Sequence, residues 1–116
     1  MARNRALAIP SSSEFQIRRV AERLAAGNGG YEIVHSTPGL ELGVYVLVAP
    51  EPDRQQPHEW DEVYIVLEGR GTLDVEGQQM RVEEGAAIYV KAGADHRFTG
   101  YEGLSVLVIF DKSQRP

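Results

Sequence analysis

The sequence predicts an all-β domain, an antiparallel barrel or jelly roll, with one short helix ahead of it. Three observations carry this expectation. From residue 31 onward apolar residues recur at every second position, the period of a half-buried strand. The runs that keep this period are rich in Val, Ile, Leu and Tyr, which suit a pleated surface. Gly, Pro and Asp divide them into eight short segments, the punctuation of a sheet built from tight turns.

Taken in order, residues 1–10 read as a loose arm. Ser11 with Glu14 fits a capping box, in which each side chain satisfies a free amide at a helix start. Ile17, Val20, Ala21 and Leu24 then fall on one helical face, so an amphipathic helix is expected over 11–26. "GNGG" at 27–30 stops it. The barrel is expected over 31–111, with strands at 31–36, 40–49, 60–68, 71–76, 78–82, 86–91, 96–100 and 104–111. "EGRG" and "VEGQQ" read as hairpin turns, with glycine supplying positive φ. "PEPDRQQP" (50–57) is the one long polar connection, and such a loop is a natural place for a site.

Composition limits what the chain can be. At 116 residues there is room for one domain, 1–116. Hydrophobic residues at 42% and charged residues at 25% suffice for one sizeable core. The formal net charge of -5 argues against nucleic-acid or anionic-membrane partners, which need a positive surface. The chain has no cysteine, so a metal would have to sit on imidazole, carboxylate or amide oxygen. The N-terminal stretch has no long apolar run, so neither a signal peptide nor a membrane span is expected, and the expected location is cytoplasmic.

The chemistry-bearing residues gather at "QPHEWDE" (56–62). Strand alternation puts His58, Trp60, Glu62 and Tyr64 on one face, with Gln56 sharing their parity if the strand begins early. In a small barrel that face is the interior. A buried carboxylate without a partner is costly, and a cation would satisfy it. His96 lies in a later strand with Phe98 on its face. Two imidazoles and one carboxylate suit non-haem iron, and also Mn, Zn or Ni. By the same alternation Asp61 and Arg97 point outward, and His35 reads as an ordinary core or surface histidine. Tyr45, Trp60 and Phe98 are candidates to line a substrate pocket or simply to fill the core.

These residues resemble the cupins, whose first motif runs roughly G-x5-H-x-H-x3,4-E-x6-G and whose second runs G-x5-P-x-G-x2-H-x3-N. His58, Glu62 and Gly69 keep the spacing of the first, and Gly85, Gly93 and His96 that of the second. The resemblance covers about residues 40–110. It implies a cupin-like jelly roll with metal ligands His58, Glu62 and His96 and with Gln56 as a candidate fourth. It also implies one divalent transition metal per chain (Fe, Mn, Zn or Ni) and a homodimer. The departures are Gln56 for the first histidine, Pro50 for the first glycine, Lys91 for the proline and Gly100 for the asparagine. Only Gln56 falls at a ligand position, and an amide oxygen is a weaker, neutral ligand.

Three function classes follow. The first, and the favoured one, is a metal-dependent enzyme on a small polar or acidic substrate held at the metal. Dioxygenase, isomerase and lyase chemistry all fit, and Tyr64 is the candidate for proton transfer. The second is a non-catalytic ligand-binding module or sensor. The third is a metal-free structural dimer, in which His58, Glu62 and His96 would each need a hydrogen-bond partner.

Overall fold

The computed structural model describes residues 9–50 and 52–113. It contains one helix, α1 (Ile17–Ala26), and eight strands among those residues. The strands are β1 (Gly30–Ser36), β2 (Leu40–Val48), β3 (Asp61–Glu68), β4 (Arg70–Val75), β5 (Gln78–Glu83), β6 (Ala87–Val90), β7 (His96–Thr99) and β8 (Gly103–Asp111). They form two antiparallel sheets, a five-stranded one in the order β1-β2-β8-β3-β6 and a three-stranded one in the order β5-β4-β7. The architecture is mostly β, with one short N-terminal helix, and its two facing antiparallel sheets are those of the expected jelly roll.

Alternation fills the space between the sheets. Tyr64 and Val66 of β3, Val106 and Val108 of β8 and Val90 of β6 face inward from one sheet. Leu73 of β4, Val82 of β5 and Phe98 of β7 face them from the other, all essentially buried. Each such side chain contributes about 1.5–3 kcal/mol through burial. Strand register places Glu62 beside Phe110 and Val90, and Tyr64 beside Val108 and Ile88. A polar group thus enters the interior at the start of β3, next to apolar neighbours.

The outer face of β2 is covered by α1. Ala21 packs with Val44 and Val46, flanked by Ile17, Val20 and Leu24. These are the residues whose 3.6-residue spacing predicts the helix. The start differs from expectation. The helix begins six residues after Ser11, at Ile17, with Gln16 as its cap residue and no side-chain cap bond. The apolar stripe that can be buried begins only at Ile17, so the Ser11–Glu14 pair precedes the helix. Its end is as expected: the Gly29 amide bonds back to the Leu24 carbonyl at 2.7 Å. The loose arm expected at 1–10 lies mostly outside the described residues, and Ile9 and Pro10 carry no regular structure.

The two expected hairpins part ways. "VEGQQ" does join the paired strands β4 and β5. "EGRG" does not make a hairpin, because β3 and β4 belong to different sheets. The chain instead passes from one sheet to the other at Gly69. Its φ is +85°, and a Cβ there would run into the Gly103 carbonyl oxygen. Glycine is therefore required twice over, by conformation and by room.

Candidate metal centre

Glu62 stands on β3, His96 opens β7, and His58 lies in the irregular segment just before β3. One ligand-type atom from each comes within 4.8 Å of the other two. His96 Nε2 is 3.3 Å and His58 Nε2 4.0 Å from Glu62 Oε1. With metal–ligand bonds of about 2.0–2.2 Å, neighbouring ligand atoms stand roughly 3–3.5 Å apart, so the cluster is close to the spacing a cation imposes.

Backbone contacts hold the three elements in place. The Gly93 amide donates to the His58 carbonyl at 2.7 Å, and the Ala92 amide to Asp61 Oδ1 at 2.9 Å. The turn before His96 is thus tied to the segment that carries His58. Asp61, expected to point outward, is half-buried and serves this tie. His96 Nδ1 lies 2.9 Å from the Ala94 carbonyl oxygen. A carbonyl only accepts, so Nδ1 carries the proton and Nε2 presents its lone pair to the cluster. That is how metal-binding histidines are usually oriented.

The donor set has an unmet demand. Both oxygens of Glu62 and Nε2 of His96 are buried and have no hydrogen-bond partner. Buried polar atoms are nearly always paired, and three such atoms converging on one point is unusual. A divalent cation would satisfy all three at once, so the residues present fit a metal. Burial opposes charging of the His96 ring, but Glu62 and the Ala94 carbonyl outweigh it, and its pKa lies above the ordinary histidine value.

A cavity of about 290 Å³ opens beside the cluster. Tyr31, Tyr45, Val108 and Phe110 supply apolar walls, Arg54 and Gln55 polar ones, and His58 and Glu62 reach it. The Tyr31 ring lies across Gly43, where a Cβ would strike its hydroxyl and ring carbons. Each wall hydroxyl is engaged. Tyr31 donates to Glu41 at 2.8 Å and Tyr45 to Asp53 Oδ1 at 2.7 Å. Burial, then the adjacent carboxylate, pushes both phenols well above their usual range.

The structure separates the other expected site residues. Tyr45 lines the cavity. Phe98 is fully buried behind it, edge-on to Tyr64 with centroids 4.9 Å apart. Trp60 packs against Phe110 at 5.6 Å, under Lys112. Tyr64 is fully buried and donates to Gln55 Oε1 at 2.8 Å. Burial and then the Glu62 charge raise its pKa far above 10, so it acts as a fixed donor. Gln56 is exposed. The amide oxygen near His58 is that of Gln55, at 3.5 Å from His58 Nε2. Period-2 parity holds only within a paired strand, and β3 begins at Asp61, so counting back from it to residue 56 does not give direction. The residues that sequence reasoning missed are Tyr31, Asp53, Arg54, Gln55 and Phe110. The one signal for three of them was their place in the polar, Pro-rich loop.

The sequence profile of the cupin domain matches residues 44–110. A relative from Streptomyces coelicolor, an uncharacterised protein, is 36% identical over 97 residues, which is 83% of this chain and 92% of that one. Among solved structures, a cupin resembling RmlC from Shewanella frigidimarina superposes with a TM-score of 0.67 at 17% identity, over 77% of this chain and 80% of that one. Salicylate 1,2-dioxygenase from Pseudoaminobacter salicylatoxidans gives a TM-score of 0.72 at 13% identity, over 85% of this chain and 32% of that one. At these identities the two structures speak for the fold.

Proposed function

The chain belongs to the cupin domain family, and on that premise we propose that it is a metal-dependent enzyme acting on a small acidic substrate. One observation carries the proposal. The partnerless atoms of Glu62 and His96 lie beside a cavity large enough for a small organic acid. Two imidazoles and one carboxylate leave positions on a metal open to a substrate, which suits Fe, Mn, Zn or Ni. A divalent metal held there supplies Lewis acidity, and redox chemistry if it is iron.

The remaining steps belong to the chain's own residues. Arg54 lines the cavity, and its guanidinium can pair with a substrate carboxylate. The aromatic and aliphatic walls hold the carbon skeleton and exclude water. The open positions of such a metal suit an oxygenase, isomerase or lyase reaction, and the geometry does not favour one of the three.

A second reading has its own support. The hydroxyls of Tyr31, Tyr45 and Tyr64 are all engaged as donors, which leaves none of them free as a base. A cavity built this way also fits a binding module that holds a small acid at a metal without turnover. The metal-free structural dimer is the least supported: without a metal Glu62 and His96 can pair only with each other, through a proton on Nε2, and Glu62 Oε2 is still left without a partner.

The deciding experiment loads untagged protein in turn with each metal. Consumption of oxygen or substrate is then followed across small hydroxy acids, keto acids and phenolic acids. Turnover lost in His96→Ala, with KM for the acid raised in Arg54→Ala, is the expected result. Tight binding of an acid without turnover of any of them would select the binding module.

A further inference from the structure

We propose that Gln55, through its carbonyl Oε1, is a fourth protein ligand of this centre, and that Asp53 is the positioning residue that turns this oxygen toward it. The inference rests on the metal reading above and assigns a ligand outside the motif spacing.

Asp53 is only 3% exposed, although it lies in the polar loop. Its carboxylate is surrounded by donors. Oδ1 accepts from the Tyr45 hydroxyl at 2.7 Å and from the Gln55 backbone N–H at 3.2 Å. Oδ2 accepts from Gln55 Nε2 at 2.8 Å and from the Phe98 amide at 2.8 Å. The carboxylate is thus anchored to β2 through Tyr45 and to β7 through Phe98, one strand from each sheet.

That anchoring decides which way the Gln55 amide faces. A carboxylate offers lone pairs only, so the NH2 end of Gln55 must turn toward Asp53. The carbonyl end must then turn away from it. On that side the Tyr64 hydroxyl donates to Oε1 at 2.8 Å, which reinforces the same orientation. A carbonyl oxygen has two lone pairs, and Tyr64 engages one. Oε1 lies 3.5 Å from His58 Nε2, about the spacing of the ligand-type atoms within the cluster. The amide is therefore fixed from two directions, with an oxygen toward the centre. Its neighbour Gln56, at the position of the missing motif histidine, is exposed. The chain has exchanged a histidine on one residue for an amide on the residue before it.

The test uses the full-length protein, stripped with a chelator and titrated with Co(II) while its visible absorption is followed. The variants are Gln55→Ala, Gln55→Leu, Gln56→Ala, Asp53→Asn and, as a control, His58→Ala. Affinity in both Gln55 variants should fall about tenfold or more, the range found when groups around a metal are removed, with a changed Co(II) spectrum. Gln56→Ala should match wild type in both. Asp53→Asn cannot serve all four donors, so the Gln55 amide loses its fixed direction, and the Co(II) spectrum should shift as in the Gln55 variants. Asp53 also supports Phe98, so if Asp53→Asn fails to fold, the two Gln55 variants decide. Wild-type affinity and spectrum in both Gln55 variants would overturn the proposal while leaving the metal reading intact. A wild-type protein that takes up no Co(II) would overturn both.

Discussion

His96 Nε2 and Glu62 Oε1 face each other at 3.3 Å, both buried and both hydrogen-bond acceptors once the Ala94 carbonyl has fixed the ring proton on Nδ1. Either a proton on Nε2 or a cation between them resolves this opposition. Glu62→Gln should therefore act in two directions. Its amide can donate to His96 Nε2, so in chelator the variant should be more stable than wild type by about 1 kcal/mol. It should also bind metal far more weakly. Thermal melts with and without added Mn(II) or Zn(II) read both effects. Wild type should gain about 2.7 kcal/mol at a metal concentration a hundredfold above Kd. A variant that melts lower than wild type in chelator would contradict the assignment of the two acceptors.

Gly69 joins the two sheets at positive φ against the backbone of Gly103. Gly69→Ala should destabilise the protein by about 3 kcal/mol or more, combining left-handed strain with a clash that neither backbone can relieve. Urea unfolding measures it. A loss below about 1 kcal/mol would mean the crossing has more room than its geometry shows.

Gly43 presents the opposite case. A Cβ there meets the far end of the Tyr31 side chain, which can swing away. Gly43→Ala should leave stability within about 1 kcal/mol of wild type while displacing Tyr31 from the cavity wall. The expected signature is weaker binding of small aromatic acids to the metal-loaded protein by calorimetry, with a melting temperature within about 5 °C of wild type.

Tyr31 and Tyr45 stay protonated in the fold well beyond the ordinary range of phenols, while in the unfolded chain they ionise near pH 10. Above that pH the unfolded chain releases protons that the folded one retains. Their contribution to stability is thus complete below about pH 10 and declines as pH rises beyond it. Absorbance of tyrosinate should show these two ionising together with unfolding, and Tyr45→Phe should flatten the decline. A Tyr45 that titrates near pH 10 in the folded state would contradict its bond to Asp53.

The outer faces of β3 and β8 carry Val63, Ile65, Leu107 and Ile109, all half-buried, with Tyr89 of β6 beside them at 59% exposed. We expect this face to pair in a homodimer. Sedimentation equilibrium at micromolar concentration should give twice the chain mass, and Ile65→Glu with Tyr89→Glu should give monomer. A wild-type monomer would remove the expectation.

Most of the fold was legible because its signals are local and repeated. Alternation from Tyr31 to Asp111 marks every strand, and the stripe from Ile17 to Leu24 marks the helix. The hinge at Gly69 was misread because a glycine between two strands looks the same whether the strands pair or part; sheet membership is a long-range property. Within the site, Glu62 and His96 could be placed because both lie on strands, where spacing fixes direction. The loop before them has no such rule. Gln55 and Gln56 are chemically identical neighbours, and only the buried carboxylate of Asp53 distinguishes them.

Glu62 and His96 come from opposite sheets, one on β3 and the other on β7. An ion shared by both would act as a rivet through the sandwich. Because the unfolded chain cannot hold it, such an ion would stabilise the folded state by mass action, in step with its supply. In a protein without cysteine it would do the work of a disulfide, but one that a chelator can open and a change in metal supply can withdraw.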